Sequence, residues 1–436
     1  MPGWVQHAIW WHVYPLGFVG AEPAAIDGGP QHRLGRLVDW LDYAVELGAS
    51  GIALGPVFAS RTHGYDTVDH FRIDPRLGDD ADFDALVAAA HGRGLRVLLD
   101  GVFNHVGRDF PAFRQVLEQG PDAPTASWFR RRPGGGPAEY ENFEGHDLLV
   151  ALNHDEPAVA DHVVAVMEHW LTRGVDGWRL DAAYAVPTAF WAAVLPRVRA
   201  AHPDAYVVGE VIHGDYPGFV AESGVDAVTQ YELWKAIWSS LNDGNLYELA
   251  HALDRHTEMV ASFAPLTFVG NHDVTRLASK LDDPRHLTHA VVVLLTVAGT
   301  PSIYAGDEQA FRGVKEDRVG GDDAVRPAFP ATPAGLAPDG WPTYRLHQDL
   351  VGLRRRHPWL HAAATRTVEL DNTRLCYEVR AGDDALLVAL NLDEQPTELA
   401  APGAGAVLAG EATVHGDGDG ARVALPGLGW AVLAIG

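Results

Sequence analysis

Short apolar runs alternate along most of this chain with segments whose apolar positions recur at helical spacing. The runs predict strands at residues 8–16, 51–54, 95–103, 175–180, 206–211, 225–231, 266–269 and 301–304. The periodic segments predict helices at residues 34–47, 83–91, 157–172, 187–201, 233–255, 284–298 and 342–356. Nearly continuous apolar strands are typical of a parallel sheet buried on both faces. Eight strands, each followed by helical material, predict an α/β fold of the (β/α)8 TIM barrel type, with a doubly wound sheet as the alternative.

Two stretches interrupt this alternation. Residues 106–156 are rich in glycine, proline and aromatic residues, and a structureless loop of that length is improbable in a compact domain. Beyond residue 358, short β-type runs are separated by turn signals such as the Gly-Asp repeat at 416–420, which predicts a hairpin turn rather than a calcium loop. We therefore predict a barrel from residues 1–105 and 157–357, an inserted subdomain at 106–156, and a C-terminal antiparallel β-sandwich at 358–436.

The bulk composition narrows the class of partner. A formal net charge of -25 argues against nucleic acid and fits a neutral substrate better than an anionic one. The single cysteine, Cys376, excludes an internal disulfide and a cysteine-rich metal site. Neither a signal peptide nor a membrane-spanning run is visible, which predicts a cytoplasmic protein with no membrane partner. The oligomeric state stays open.

Charged residues follow the apolar core of four predicted strands. The third strand ends in Asp100 with His105 beyond it, and the fourth carries Arg179 and Asp181. Glu210 follows the fifth strand, and the pair His272-Asp273 follows the seventh. Because strand ends of a barrel meet at one mouth, the three acids Asp181, Glu210 and Asp273, from three strands, predict an active site there.

Arg179 and Asp181 are two residues apart on one strand, so their side chains lie on the same face. A guanidinium beside a carboxylate lowers the pKa of that carboxylate, as a carboxylate nucleophile requires. Taken alone, the pair is equally compatible with a structural ion pair at a strand end.

These segments resemble the signature regions of the α-amylase family, glycoside hydrolase family 13. The matching stretches are residues 100–105, 177–181, 209–210 and 268–273, with 51–57 and 299–308 as further matches. The resemblance implies a retaining mechanism in which Asp181 is the nucleophile and Glu210 the general acid and base. Asp273 resembles the third acid of the family, which binds sugar hydroxyls and favours the cationic transition state.

The resemblance also implies a set of substrate-binding residues. His105 and His272 look like the histidines that hydrogen-bond the sugar, and no zinc-type spacing surrounds them. Asp100 resembles the residue that supports Arg179. The loop His63-Gly64-Tyr65-Asp66 is similar to the one that stacks a tyrosine on the sugar, with ordinary packing of Tyr65 as the less favoured alternative. Asp66 with Arg276 would clamp the non-reducing end of the substrate.

Features of the inserted segment resemble the neopullulanase and cyclomaltodextrinase branch of the family. They are the stretches 109–114, 128–129, 140–143 and 152–153. The N-terminal sandwich domain usual in that branch is not seen here, which puts the dimer of that branch in doubt. The residue after the predicted nucleophile is Ala182, and in relatives a small residue there accompanies α-1,4 bonds.

Calcium is a recurrent ligand in this family, bound through the asparagine matching Asn104 and a Lys-His pair after the nucleophile. Here Ala183-Tyr184-Ala185 replaces that pair. We therefore expect no metal and no required cofactor.

The expected function is hydrolysis of α-1,4-glucosidic bonds in short malto-oligosaccharides or cyclodextrins through a covalent glycosyl-enzyme. The alternative is a transglycosylase or isomerase that acts on trehalose- or sucrose-like α-glucosides through the same intermediate. A non-catalytic binding protein is disfavoured, because all three acids are present and no membrane span is seen.

Overall fold

The computed structural model describes residues 1–132, 134, 139–318 and 320–435. Its centre is a ring of eight parallel strands, which are Trp10–Val13, Gly51–Leu54, Arg96–Gly101, Gly177–Leu180, Tyr206–Gly209, Ala227–Val228, Leu266–Phe268 and Thr300–Tyr304. The eighth strand pairs with the first, and a parallel bridge between Thr229 and Leu266 joins the sixth to the seventh. The ring therefore closes, and the predicted TIM barrel is confirmed.

Aromatic side chains fill the amino-terminal end of the barrel. Trp10 stacks on Tyr206 with ring centroids 6.4 Å apart, and Trp4 meets both rings edge-on. Gly51 is required beside them, because a Cβ at this position would lie 2.4 Å from the Trp10 ring. With this end packed shut, ligand access is confined to the carboxyl-terminal end of the strands, as in other barrels of this type.

Helices surround the ring. They are Pro15–Phe18, Gly35–Val38, Leu41–Leu47, Asp80–His91, Pro157–Thr172, Thr188–Ala201, Tyr216–Ser223, Tyr231–Asp243, Tyr247–Val260, Leu277–Lys280, Leu287–Thr296 and Trp341–Arg356. The helix predicted at 233–255 is two helices, because Gly244 takes a left-handed φ of 58° and ends the first. The helix predicted at 83–91 begins earlier, at Asp80, because Asp79 and Asp82 form a capping box there.

The insertion after the third strand is structured. Strand His146–Ala151 pairs antiparallel with His105–Gly107 on one side and Asn142–Phe143 on the other, and helix Pro111–Gln119 packs beside them. A second hairpin, Phe58–Ser60 with Thr67–Ile73, carries the loop of Tyr65. Residues 133 and 135–138 of the predicted subdomain lie outside the described residues.

The C-terminal region is an antiparallel sandwich, as predicted. Its five-stranded sheet contains Ala364–Leu370, Arg374–Ala381, Asp384–Asn391, Trp430–Ile435 and Ala404–Gly410, and its three-stranded sheet contains Thr397–Ala400, Arg422–Leu425 and Thr413–His415. Cys376, Leu387 and Val423 are part of the apolar core that the two sheets share. The Gly-Asp repeat joins the paired strands Thr413–His415 and Arg422–Leu425 as a turn.

The domain boundaries proposed at residues 105/106, 156/157 and 357/358 stay a prediction. In the part of the chain that the structure describes, no helix is both long and apolar enough to cross a membrane.

Candidate active site

One guanidinium gathers three carboxylates at the carboxyl-terminal end of the barrel. Nη1 of Arg179 lies 2.7 Å from both carboxylate oxygens of Asp100 and 3.3 Å from Oδ1 of Asp181. Nη2 of Arg179 lies 2.7 Å from Oε1 of Glu210. Parallel register explains the contact with Asp100, because Asp100 on the third strand pairs directly with Arg179 on the fourth. The convergence that the strand ends predicted is therefore present for these residues.

Asp181 is the residue that directly follows the fourth strand. Its backbone N–H donates to the carbonyl of Gly101, which anchors it to the third strand, and its side chain is almost fully buried. Burial and the neighbouring carboxylate of Glu210 raise the pKa of Asp181 well above its ordinary value, against the lowering effect of Arg179. The expectation that Arg179 sets a low pKa is therefore wrong in its net direction, because burial outweighs the ion pair.

Glu210 follows the fifth strand and is held by three donors. Besides Arg179, the hydroxyl of Tyr231 donates to Oε1 at 3.0 Å, and the backbone N–H of Ala182 donates to Oε2 at 3.0 Å. Ala182 takes a left-handed φ of 45°, which is unusual for a residue with a side chain. The turn after Asp181 thus aims its amide at Glu210 and ties the two acids to each other.

Asp273 lies across the mouth and is partly accessible. Its Oδ1 lies 2.8 Å from Nη2 of Arg326, and its Oδ2 lies 3.0 Å from Nε2 of His272. Burial raises the pKa of Asp273, but His272 and Arg326 outweigh it and hold this pKa well below the ordinary value. The pKa values of Asp273 and Asp181 are therefore shifted in opposite directions.

Aromatic rings support this side of the site. The ring of His272 lies between those of Tyr65 and Tyr14, parallel to each within 9°. The Tyr65 hydroxyl donates to Oδ2 of Asp100 at 3.0 Å and also contacts Nε2 of His272. Tyr65 is consequently packed on His272 and also lines the cleft, and its stacking on a sugar stays a prediction.

His105 and His63 hold the Tyr65 loop. Nε2 of His105 donates to the Tyr65 carbonyl at 3.1 Å, and burial lowers the pKa of His105 to about 3. The His105 ring stacks on Phe143 of the inserted segment, with centroids 4.7 Å apart. His63 is exposed, and its Nδ1 accepts a bond from the Tyr65 amide at 3.3 Å.

The predicted clamp between Asp66 and Arg276 is wrong. Both oxygens of Asp66 accept bonds from Thr62, at 3.0 Å from its amide and 2.7 Å from its hydroxyl. Arg276 is buried, with Nη1 2.9 Å from Oδ1 of Asp307 and its guanidinium over the Tyr304 ring. Each of the two side chains makes its own local contact, so they do not form a pair that could hold a substrate.

The three predicted catalytic acids line one cleft of about 870 Å³. Tyr65 and His105 line it as well, with the apolar side chains of Leu149, Ile212 and Val274. Carboxylates accept hydrogen bonds from sugar hydroxyls, and aromatic and aliphatic side chains pack against the C–H faces of a sugar. The lining of this cleft therefore suits a sugar.

Residues 13–368 match the protein family described as "Alpha amylase, catalytic domain". This stretch contains the whole carboxylate cluster. The chain belongs to the α-amylase family. It is therefore a glycoside hydrolase.

Relatives of this α-amylase family member differ in the substrates that their names state. A cyclomaltodextrinase from Bacillus sp is 31% identical over 430 residues, covering 90% of this chain and 74% of that protein. The acarbose-soaked debranching enzyme of Nostoc punctiforme superposes with a TM-score of 0.82 at 27% identity, covering 100% of this chain and 99% of that one. The ligand-free cyclic α-maltosyl-(1→6)-maltose hydrolase of Arthrobacter globiformis gives a TM-score of 0.83 at 25% identity, with both chains covered completely.

Three residues of the site escaped the sequence interpretation. The predicted sixth strand includes Tyr231 as its last residue. Because polar residues at strand ends were expected at the mouth of the barrel, the same reasoning could have identified Tyr231. Asn271, whose Nδ2 donates to the Tyr231 hydroxyl at 2.9 Å, stands directly before His272. Arg326 lies in an irregular segment after the eighth strand, where no periodic pattern points to it.

The surroundings of Asn104 do not fit the calcium ion common in this family. The Asn104 amide donates to Nδ1 of His105, and the cleft beside it is lined by Arg130, Arg132 and His154. Calcium takes about six to eight oxygen ligands, whereas this cleft combines the carboxylates of Glu141 and Glu144 with two guanidinium groups, which repel a cation. Arg130 already supplies positive charge there, donating to Oδ1 of Asn153 at 2.9 Å.

We expect Asp181→Asn to raise the free energy of unfolding, because a group with a raised folded pKa loses stability as it ionises. The gain is absent below the ordinary pKa of 3.8, grows as pH rises from there to the folded pKa, and is constant above it. Thermal unfolding at a series of pH values measures it.

Asp273→Asn is the matched control with the opposite sign. Its folded pKa is lowered, so its carboxylate stabilises the fold above the unfolded pKa, and the substitution should lower Tm at neutral pH. A loss of stability in both variants at pH 7 would contradict the assigned direction for Asp181.

Proposed function

We propose that this enzyme hydrolyses α-1,4-glucosidic bonds in short malto-oligosaccharides or cyclodextrins with net retention of anomeric configuration. The observation that carries the proposal is the contact of one guanidinium, Arg179, with both Asp181 and Glu210. A close pair of carboxyl groups is the arrangement that a retaining glycosidase requires, since one attacks the sugar while the other protonates the leaving oxygen.

Asp181 would attack the anomeric carbon and form the covalent glycosyl-enzyme as the bond to the leaving sugar breaks. Glu210 would donate its proton to the leaving oxygen and then remove a proton from the water that releases the product. Asp181 attacks as the carboxylate, so any proton that burial retains on Asp181 has to pass to Glu210 before the attack, and Glu210 then delivers it to the leaving oxygen. The Ala182 amide and the Tyr231 hydroxyl would hold the Glu210 carboxyl in position through both steps.

Asp273 would bind hydroxyl groups of the same sugar and stabilise the positive charge that develops on its ring. Its low pKa suits this role, because the group must stay ionised throughout. His272 and Tyr65 would position the sugar from one side and His105 from the other, with Asp100 holding Arg179 in place.

The substrate assignment rests on Ala182 and on the names of curated relatives. Besides the Bacillus sp cyclomaltodextrinase, the chain is 32% identical to neopullulanase 2 of Thermoactinomyces vulgaris over 343 residues, which is 72% of this chain and 58% of that protein. The two solved structures named above are those of a debranching enzyme and of a cyclic α-maltosyl-(1→6)-maltose hydrolase, so linkage is the main question for experiment. A cytoplasmic location stays a prediction.

A substrate panel of maltotriose, β-cyclodextrin, panose, trehalose and sucrose tests the assignment, with the product anomer followed by NMR. We expect maltotriose and the cyclodextrin to be cleaved fastest and the α-anomer to form first. Initial release of the β-anomer would contradict retention. Preference for panose would contradict the linkage, and products longer than the substrate would favour the transglycosylase alternative.

Calcium removal tests the proposal that no metal is required. Because Arg130 supplies the positive charge beside Asn104, we expect EDTA to leave both Tm and maltotriose turnover unchanged. Excess calcium chloride, added to a matched sample, should not raise Tm. A large drop of Tm in EDTA that calcium reverses would show that a structural ion is bound.

A further inference from the structure

The tip of the inserted hairpin touches the loop that follows the predicted nucleophile. Strands Asn142–Phe143 and His146–Ala151 are joined by the two-residue turn Glu144-Gly145, whose φ angles are 49° and 86°. Oε1 of Glu144 accepts a hydrogen bond from the hydroxyl of Tyr184 at 2.7 Å. This contact, called here the Glu144–Tyr184 bridge, connects the subdomain to the barrel.

The bridge stands at the junction of two clefts. Phe143, Glu144 and Tyr184 line the cleft that holds the predicted catalytic acids, and they also line a neighbouring cleft of about 940 Å³. Polar side chains dominate the walls of this second cleft, among them Arg130, Arg132, Glu141, Asn142 and His154.

The position of Glu210 indicates on which side of the cleaved bond the Glu144–Tyr184 bridge lies. The backbone N–H of Tyr184 donates to the backbone carbonyl of Glu210 at 3.2 Å, so Tyr184 is tethered to the predicted general acid. A general acid lies on the side of the leaving group, because it protonates the leaving oxygen. The second cleft therefore continues from the leaving-group side of the bond that is cut.

We propose that the Glu144–Tyr184 bridge is a specificity gate on the leaving-group side, an inference that rests on the proposed function. When the bridge is closed, it separates the two clefts and favours substrates with a short leaving group. When it is open, the clefts join, and a longer α-glucan chain or an acceptor sugar extends into the second cleft. Guanidinium and amide groups there donate hydrogen bonds to sugar hydroxyls.

The local structure makes this contact reversible while the hairpin keeps its place. Both partners are accessible to solvent, and a single exposed hydrogen bond contributes little net stability, so opening is inexpensive. Phe143 stacks on the buried His105, which keeps the base of the tip fixed. Glutamate is unusual in a turn with two positive φ angles, where Asn-Gly is favoured, and here its carboxylate reaches Tyr184.

Tyr184→Phe removes the hydroxyl and keeps the ring, so it breaks the bridge and opens the gate while the aromatic ring still lines the cleft. We expect the ratio of kcat/KM for maltohexaose to kcat/KM for maltotriose to rise about two- to tenfold, the equivalent of one net hydrogen bond. Glu144→Ala should raise the ratio similarly. Glu144→Gln, which keeps an acceptor oxygen for the Tyr184 hydroxyl, should stay near the wild-type ratio.

Tyr247→Phe is the matched control, since Tyr247 is exposed at the start of helix Tyr247–Val260 and should leave the ratio unchanged. An unchanged ratio in both Tyr184→Phe and Glu144→Ala, with the wild-type enzyme active, overturns the gate alone. An equal fall of both kcat/KM values overturns it too, because it would show a purely structural contact. Inactivity of the wild-type enzyme on both oligosaccharides overturns the proposed function, and the gate with it.

Discussion

The site depends on the burial of one guanidinium among three carboxylates. Arg179 contacts Asp100, Asp181 and Glu210 at the closed side of the barrel mouth, where water screens charge poorly. One positive charge cannot balance three negative ones at low dielectric, so the remaining excess is relieved by protonation. The raised pKa of Asp181 is the visible consequence. In the chemistry that we propose, this proton has to pass from Asp181 to Glu210 before Asp181 attacks the sugar.

The register of the parallel barrel strands, rather than the conformation of long loops, brings these charged residues together. Adjacent parallel strands bring Asp100 level with Arg179, and Asp181 and Glu210 begin the turns immediately after the fourth and fifth strands. Asp273 reaches the mouth from the seventh strand but belongs to a separate group of charges with His272 and Arg326. The pKa values of Asp181 and Asp273 shift in opposite directions because Asp181 shares Arg179 with two other carboxylates, whereas Asp273 contacts His272 and Arg326.

The expectation that polar residues at or just after the ends of apolar strands meet at the barrel mouth predicted five residues of the site, which are Asp100, Arg179, Asp181, Glu210 and Asp273. The clamp of Asp66 with Arg276, which the family resemblance had suggested, was wrong, since the sequence does not show that Asp307 after the eighth strand is the partner of Arg276. Arg326 was missed because it comes from an irregular segment. The direction of the Asp181 pKa was wrong for a related reason: adjacency to Arg179 is visible in sequence, whereas the extent of burial is not. The resemblance to the α-amylase family supplied the roles that these patterns alone left open.

The central claim is that Asp181 becomes covalently bonded to the sugar, and trapping that bond tests it most directly. In Glu210→Gln, a 2-deoxy-2-fluoro-α-maltosyl fluoride needs no acid to expel fluoride, while the step that releases the sugar lacks its base. Mass spectrometry of the digested protein should then show the sugar on the peptide that contains Asp181. A sugar attached to another carboxylate, or fluoride release with no labelled peptide, would contradict the account.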